Sequence, residues 1–211
     1  MSTTLLELPA TQGTKPAKDA TVDERAVAAL LACIARTGWA KTTFDDVARE
    51  AGCARATLYR YFAGKPALLA ATVDAERDRL AAALSAATEH ATTLEDALVA
   101  VVTTGARAVR DHRALQFLFA FEPEAVLPYL TFSGGDVTLA AAGSVVGPAL
   151  GRFLPDGVDA EQAGEWVARA TLVYVSSPTA PFDLASEADA RTLVREFLAP
   201  ALARSSVTAR G

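Results

Sequence analysis

Apolar residues recur along this chain at spacings of three and four, and Gly, Pro and short polar runs cut the recurrence into segments. Thr21 with Glu24 reads as a capping box, and Val27, Leu30, Leu31 and Ile34 then share one helical face until Gly38. A second box, Thr43 with Asp46, opens a short helix whose face carries Phe44, Val47, Ala48 and Ala51, and Gly52 ends it. Another short helix starts near Ala54 or Arg55, with Leu58 and Phe62 as its inward stripe. Pro66, tolerated in a first turn, begins a long helix from about Lys65 to Glu89. Its buried side is marked by Leu68, Leu69, Val73, Leu80 and Leu84.

Thr93 with Asp96 caps a helix over about Leu94 to Arg110, and His112 to Phe121 follows. Pro123 and Pro128 break the pattern into a short helix or a turn, and Ser133-Gly134-Gly135 is a loop. A helix from about Asp136 reaches Phe153, kinked or divided by Pro148. Residues 154–157 form a turn before two amphipathic helices. The first starts at Asp159 with Gln162, carries Ala163, Trp166, Val167, Ala170, Val173 and Tyr174, and ends near Ser176. After the Ser177 to Pro181 break, the second starts at Ser186 with Asp189 and runs to about Arg204, bent near Pro200. Its stripe is Leu193, Val194, Phe197, Leu198, Ala201 and Leu202. No strand alternation is sustained and no repeat occurs, so the chain reads as all-α: a three-helix unit joined by a long helix to a larger helical domain.

Composition changes this picture in two places. Net charge is −5 over 211 residues, yet residues 1–70 carry nine Lys/Arg against seven Asp/Glu, and the rest carries eleven against eighteen. The small unit is therefore the positive part, and local field governs phosphate binding more than total charge. Cys33 and Cys53 suggest no disulfide framework and read as two small buried hydrophobes. Residues 1–20, rich in Thr, Pro, Gly and Lys, read as a disordered arm. No secretory pattern and no span-length apolar run is present, so a cytoplasmic chain without a membrane segment is expected.

Two short helices joined by a tight turn, the second basic and aromatic on its outer face, form a helix-turn-helix. The second helix can enter the DNA major groove. Arg55 suits a bidentate contact to guanine, and Ala56 lets the backbone approach closely. Thr57, Tyr59, Tyr61 and Lys65 suit phosphates; Thr43 and Arg60 complete the expected DNA-binding set. The run T-T-F-D-D-V-A-R-E-A-G followed by T-L-Y-R-Y-F-A-G-K, within about residues 22 to 70, resembles the DNA-binding signature of the TetR family of regulators. At Ala54 the chain departs from the Ser or Thr cap more often found there, which removes a cap worth about 1 kcal/mol.

The resemblance implies a DNA-binding domain over residues 21–66 and a ligand-binding and dimerisation domain over 67–211. It implies a repressor that binds a palindromic operator as a homodimer and is released by a small apolar or aromatic effector. Candidate effector residues are His112, Gln116, Phe117, Phe121, Tyr129 and Trp166. Candidate dimer residues are Trp166, Tyr174, Val194, Phe197 and Leu198. An enzyme is the weaker reading. His90 and His112 have no metal-ligand spacing, and no nucleophile elbow or phosphate-binding Gly loop occurs, so no catalytic residue, metal or cofactor is expected.

Overall fold

A computed structural model describes residues 21–130, 135–176 and 181–204 of the chain, with no side-chain detail for 128–130, 135–140, 203 and 204. The expected arm at residues 1–20, Ser133 and Gly134 of the expected loop, the break over 177–180 and the side chain of Tyr129 lie outside what is described. Among the described residues every regular element is helical.

Helix α1 (Val22–Thr37) opens on the Thr21–Glu24 capping box, with both reciprocal hydrogen bonds formed. Helix α2 (Phe44–Glu50) opens on the Thr43–Asp46 box in the same way. Gly52 takes the left-handed conformation at φ +67°. The Cys53 N–H then reaches back to the Ala48 carbonyl at 3.0 Å, which closes the end of α2. Helix α3 (Arg55–Tyr61) starts from Ala54 without any side-chain cap. These three helices bury one small core around Leu30, Cys33, Val47, Leu58 and Phe62. That core also takes in Leu68 and Ala114, both beyond residue 66.

Leu68 comes from α4 (Lys65–Thr88), which belongs to two cores. Leu84, four turns further on, sits in the larger one with Leu80 and Ala81 packed beside it. Val73 is exposed rather than buried, because Ala71, Thr72 and Ala75 take the inward side of this part of the helix. The far end of α4 is held by Arg152, whose guanidinium donates to the Thr88 carbonyl at 2.5 Å and to the Glu89 carbonyl at 3.1 Å. A cation there satisfies carbonyls that have no intrahelical partner.

The larger core is built from α5 (Leu94–Asp111), α8 (Gly135–Leu150), α9 (Ala160–Ser176) and the C-terminal helices. Between them run α6 (Arg113–Phe121) and α7 (Pro123–Leu130), so the Pro123 segment is a helix and not a turn. Pro148 lies in the last turn of α8, which passes into a 3-10 turn at Gly151–Phe153. Helices α8 and α9 meet backbone to backbone. A Cβ built on Gly164 would lie 2.5 Å from the Gly147 nitrogen, and one on Gly143 would lie 2.6 Å from the Glu161 carbonyl oxygen.

The C-terminal helix differs from its expected form at both ends. Ser186 precedes α10 (Glu187–Leu193) without a side-chain cap, and Asp189 accepts from the Asp183 N–H at 2.9 Å while the Ser186 N–H donates to the Asp183 carbonyl. Val194–Leu198 is a π-helical turn before α11 (Ala199–Arg204). The Ala199 N–H reaches Val194, five residues back. Pro200 has no N–H for the Glu196 carbonyl, and a π turn is one way a helix absorbs such a break.

Candidate nucleic-acid interface

Helix α3 turns one face inward and leaves the other to solvent. Leu58 and Phe62 are buried, while Arg55, Ala56, Tyr59, Arg60 and Tyr61 are exposed and Thr57 is half-buried. Phe44, on the buried face of α2, meets the Tyr59 ring edge-on at 4.7 Å, which fixes that ring at the junction of the two helices. Arg55 lies across the same junction. Its guanidinium donates to Asp45 on α2 at 2.9 Å and to the Tyr59 hydroxyl at 3.4 Å, and its carbon sits 5.3 Å from the Tyr59 ring centre. The Tyr59 hydrogen bond and the Asp45 charge both raise the already high pKa of Arg55, so it is a permanent cation. Arg60 rests over the Tyr61 ring at 5.4 Å.

Thr43 is exposed, with its hydroxyl committed to Asp46 at 2.6 Å. The hydrogen bonds from Thr43 hold the Asp46 carboxyl below its usual pKa, so the box stays charged and intact. Arg36 on α1 ties to Glu50 on α2 at 2.9 Å. Cys33 is fully buried, and that burial raises its thiol pKa, as suits an inert core residue.

Lys65 departs from its expected place as a free phosphate contact. Its ammonium donates to the Trp39 carbonyl and lies 3.8 Å from the centre of the Trp39 ring. Burial lowers its pKa, and the nearby Glu122 carboxylate partly opposes that. Glu122, at the corner between α6 and α7, accepts from the backbone N–H of Trp39 at 2.8 Å and of Ala40 at 3.2 Å. Gly38 sits at φ +83° beneath this carboxylate, and a Cβ on it would lie 2.1 Å from Glu122 Oε1 and 2.8 Å from the Phe117 ring. The loop after α1 is thus clamped from two directions, by α4 through Lys65 and by α6 through Glu122. Glu122→Ala leaves two N–H groups without a charged acceptor. A loss of about 1.5–3 kcal/mol in urea unfolding is expected, and an unchanged midpoint would show that the clamp carries no stability.

Of the expected effector residues with described side chains, only Phe117 and Phe121 are brought into ring contact. Phe117 packs against Gly38, and the Phe121 ring lies tilted against Phe117 with centres 4.9 Å apart and 71% of the residue exposed. The cause is the seat of α6, whose Ala114 and Leu118 lie against α1. His112 caps α6 through its Nδ1, which accepts from the Leu115 N–H at 3.1 Å, and its Nε2 lies 3.4 Å from Glu76 on α4. Gln116 is exposed and donates back to the Val109 carbonyl at 2.9 Å. Trp166 stands on the outer face of α9. An open groove between α4 and α8, lined by Ala81, Ser85, Val145 and Arg152, touches none of these residues.

The expected dimer residues divide as well. Val194 and Leu198 are sealed in the larger core of their own subunit and offer no surface. Tyr174 is half-buried against Phe182, with ring centres 5.9 Å apart. Trp166 and Phe197 are exposed, and so is Val173, two turns along α9 from Trp166. Trp39 packs against the small core as its place after Gly38 leads one to expect, but sequence reasoning missed its contact with Lys65 and missed Asp45 and Glu122. Glu122 carries no local signal, because its partners lie more than eighty residues away. Asp45 reaches Arg55 only once the turn folds α3 back beside α2.

Residues 26–72 match the sequence pattern described as bacterial regulatory proteins, tetR family. An HTH-type transcriptional regulator of Mycobacterium tuberculosis is 30% identical over 171 residues, which is 79% of this chain and 78% of that protein. The fold is similar to AlkX of Dietzia sp., a TetR family repressor implicated in biodegradation of n-alkanes. The TM-score is 0.63 at 20% identity, covering 84% of this chain and 98% of AlkX. It is also similar to FadR of Bacillus subtilis, solved in complex with stearoyl-CoA. There the TM-score is 0.59 at 15% identity, covering 82% of this chain and 97% of FadR. No described helix is long and apolar enough to cross a membrane.

Proposed function

The chain belongs to the TetR family of DNA-binding transcriptional regulators, and from that premise we propose that it is a ligand-responsive repressor. It binds a partly palindromic operator as a homodimer and leaves it when a small apolar molecule occupies the larger domain. The observation that carries this reading is the exposed face of α3, with Arg55, Ala56, Tyr59, Arg60 and Tyr61 presented outward on a buried Leu58–Phe62 base. Arg55 reads a guanine, and Thr57, Tyr59, Arg60 and Tyr61 hold phosphates.

An effector with a long apolar part is supported by the stearoyl-CoA bound to the similar FadR, whose acyl chain is apolar, and by the link of the similar AlkX to n-alkanes. The hydroxyl of Thr103, buried on α5 without a partner among the described residues, is a polar group that an effector could satisfy. Dimerisation is supported by Trp166 and Val173, large apolar residues exposed on one side of α9. A two-fold dimer sets its reading helices about 34–36 Å apart, or at a multiple of that, to meet successive major grooves. Two ties to the head, Lys65 on α4 and Glu122 at the end of α6, give an effector a route for changing that separation.

The test is an unbiased selection of bound DNA sequences with wild-type protein and Arg55→Ala. The variant should lose about 1–3 kcal/mol on the selected operator and relax one base position per half-site. If affinity fell with base preference unchanged, Arg55 would be a phosphate contact and not a reader.

A further inference from the structure

We infer that Asp45 is a specificity-determining residue that acts through Arg55, holding the guanidinium in its reading pose before DNA arrives. The inference rests on the assignment of Arg55 to base readout. A free arginine side chain samples many rotamers, and fixing it on binding costs side-chain entropy. Here the fixing is done in advance. Asp45, in the first turn of α2, takes one donor of Arg55 at 2.9 Å, and the Tyr59 hydroxyl takes another at 3.4 Å. Tyr59 is itself braced edge-on by buried Phe44 at 4.7 Å. The anchor therefore runs from the small core to the guanidinium. A guanidinium has five N–H donors, so three remain, and a fork on guanine O6 and N7 needs two.

The pair contributes little to folding. Both side chains are about half exposed, at 60% and 49%, and exposed ion pairs are worth little. A carboxylate beside a phosphate-binding face also repels DNA in general. An acidic residue at this position therefore weakens binding to every sequence, while preorganisation strengthens binding only where Arg55 finds its base. The expected signature is a separation of affinity from specificity.

The experiment measures operator and random-duplex affinity, and base preference by selection, for wild type, Asp45→Ala, Asp45→Asn, Arg55→Ala and the Asp45→Ala/Arg55→Ala double variant. Asp45→Ala should reduce preference for the base read by Arg55 about three- to tenfold, a coupling usual for residues in one network. Its affinity for random duplex should hold or rise. Asp45→Asn, which keeps a carbonyl acceptor, should restore part of the preference and guards against a folding defect in the alanine variant. The double variant should be no less selective than Arg55→Ala alone. If Arg55→Ala relaxes its position while both Asp45 variants keep full preference, Asp45 has no such role and the Arg55 assignment stands. Tighter binding to all sequences with preference intact would make Asp45 a mere competitor for Arg55, which also overturns the inference. Full preference in Arg55→Ala removes the reading assignment and this inference with it.

Discussion

Val194→Asp should unfold the larger domain, whereas Phe197→Asp, three residues on, should leave it folded. Val194 has no exposed surface and packs in the core with residues of α5 such as Leu98 and Val101. A carboxylate there would sit in an apolar cluster, and burying it unpaired costs several kcal/mol. Domains of this size have about 5–15 kcal/mol in all, so most of the margin is removed. Phe197 is 57% exposed and points away from that core. A charge on it should weaken only the contact with a second copy. Thermal melts followed by circular dichroism, together with sedimentation of both variants, separate the two. A folded, native-melting Val194→Asp would contradict its burial. A Phe197→Asp protein that sediments like wild type would place Phe197 outside the subunit contact.

Gly164→Val should force α8 and α9 apart at a cost of about 3 kcal/mol or more, the upper range for overpacking a core. Glycine to alanine inside a helix normally gains up to about 1 kcal/mol in propensity, so Gly164→Ala decides the sign. The added Cβ would lie 2.5 Å from the Gly147 nitrogen and 2.8 Å from the Gly143 carbonyl oxygen. Both are backbone atoms and cannot rotate away, so the helices must separate and open gaps beside Val146 and Val167. Overpacking then exceeds the gain in propensity, and alanine should destabilise as well. Urea unfolding of the two variants reads the result. A stabilised Gly164→Ala would mean that the helices run further apart than 2.5 Å contacts require.

What the sequence made legible was local. The Thr21–Glu24 and Thr43–Asp46 boxes, the left-handed Gly52 and the uncapped start at Ala54 are each decided within a few residues. The outward face of α3 follows from one helical period. Longer reach was not legible. A stripe of apolar residues says that something covers it, not what. Val194 and Leu198 therefore looked like subunit contacts, although α5 of the same chain covers them. Phe117 and Phe121 read as pocket walls in the sequence, whereas α6 lies across α1. Lys65 looked free because Trp39 and Glu122 are distant in sequence. The four-residue spacing of Gly143 and Gly147 was a visible cue to close helix contact, yet only Gly164 on the partner helix gives it meaning.

The dual membership of α4 bears on how this regulator can be recombined with its relatives. A crossover at residue 66 looks like a clean seam in the chain, but it would draw Leu68 and Ala114 from one parent and the rest of the small core from the other. Gly38 and the Phe117–Glu122 pair that closes over it would be split in the same way. A graft that preserves the reading head must carry α6 with it, or choose a donor whose residues at positions 38, 114, 117 and 122 already match. The unit of inheritance here is a set of contacts, and it is not contiguous in the gene.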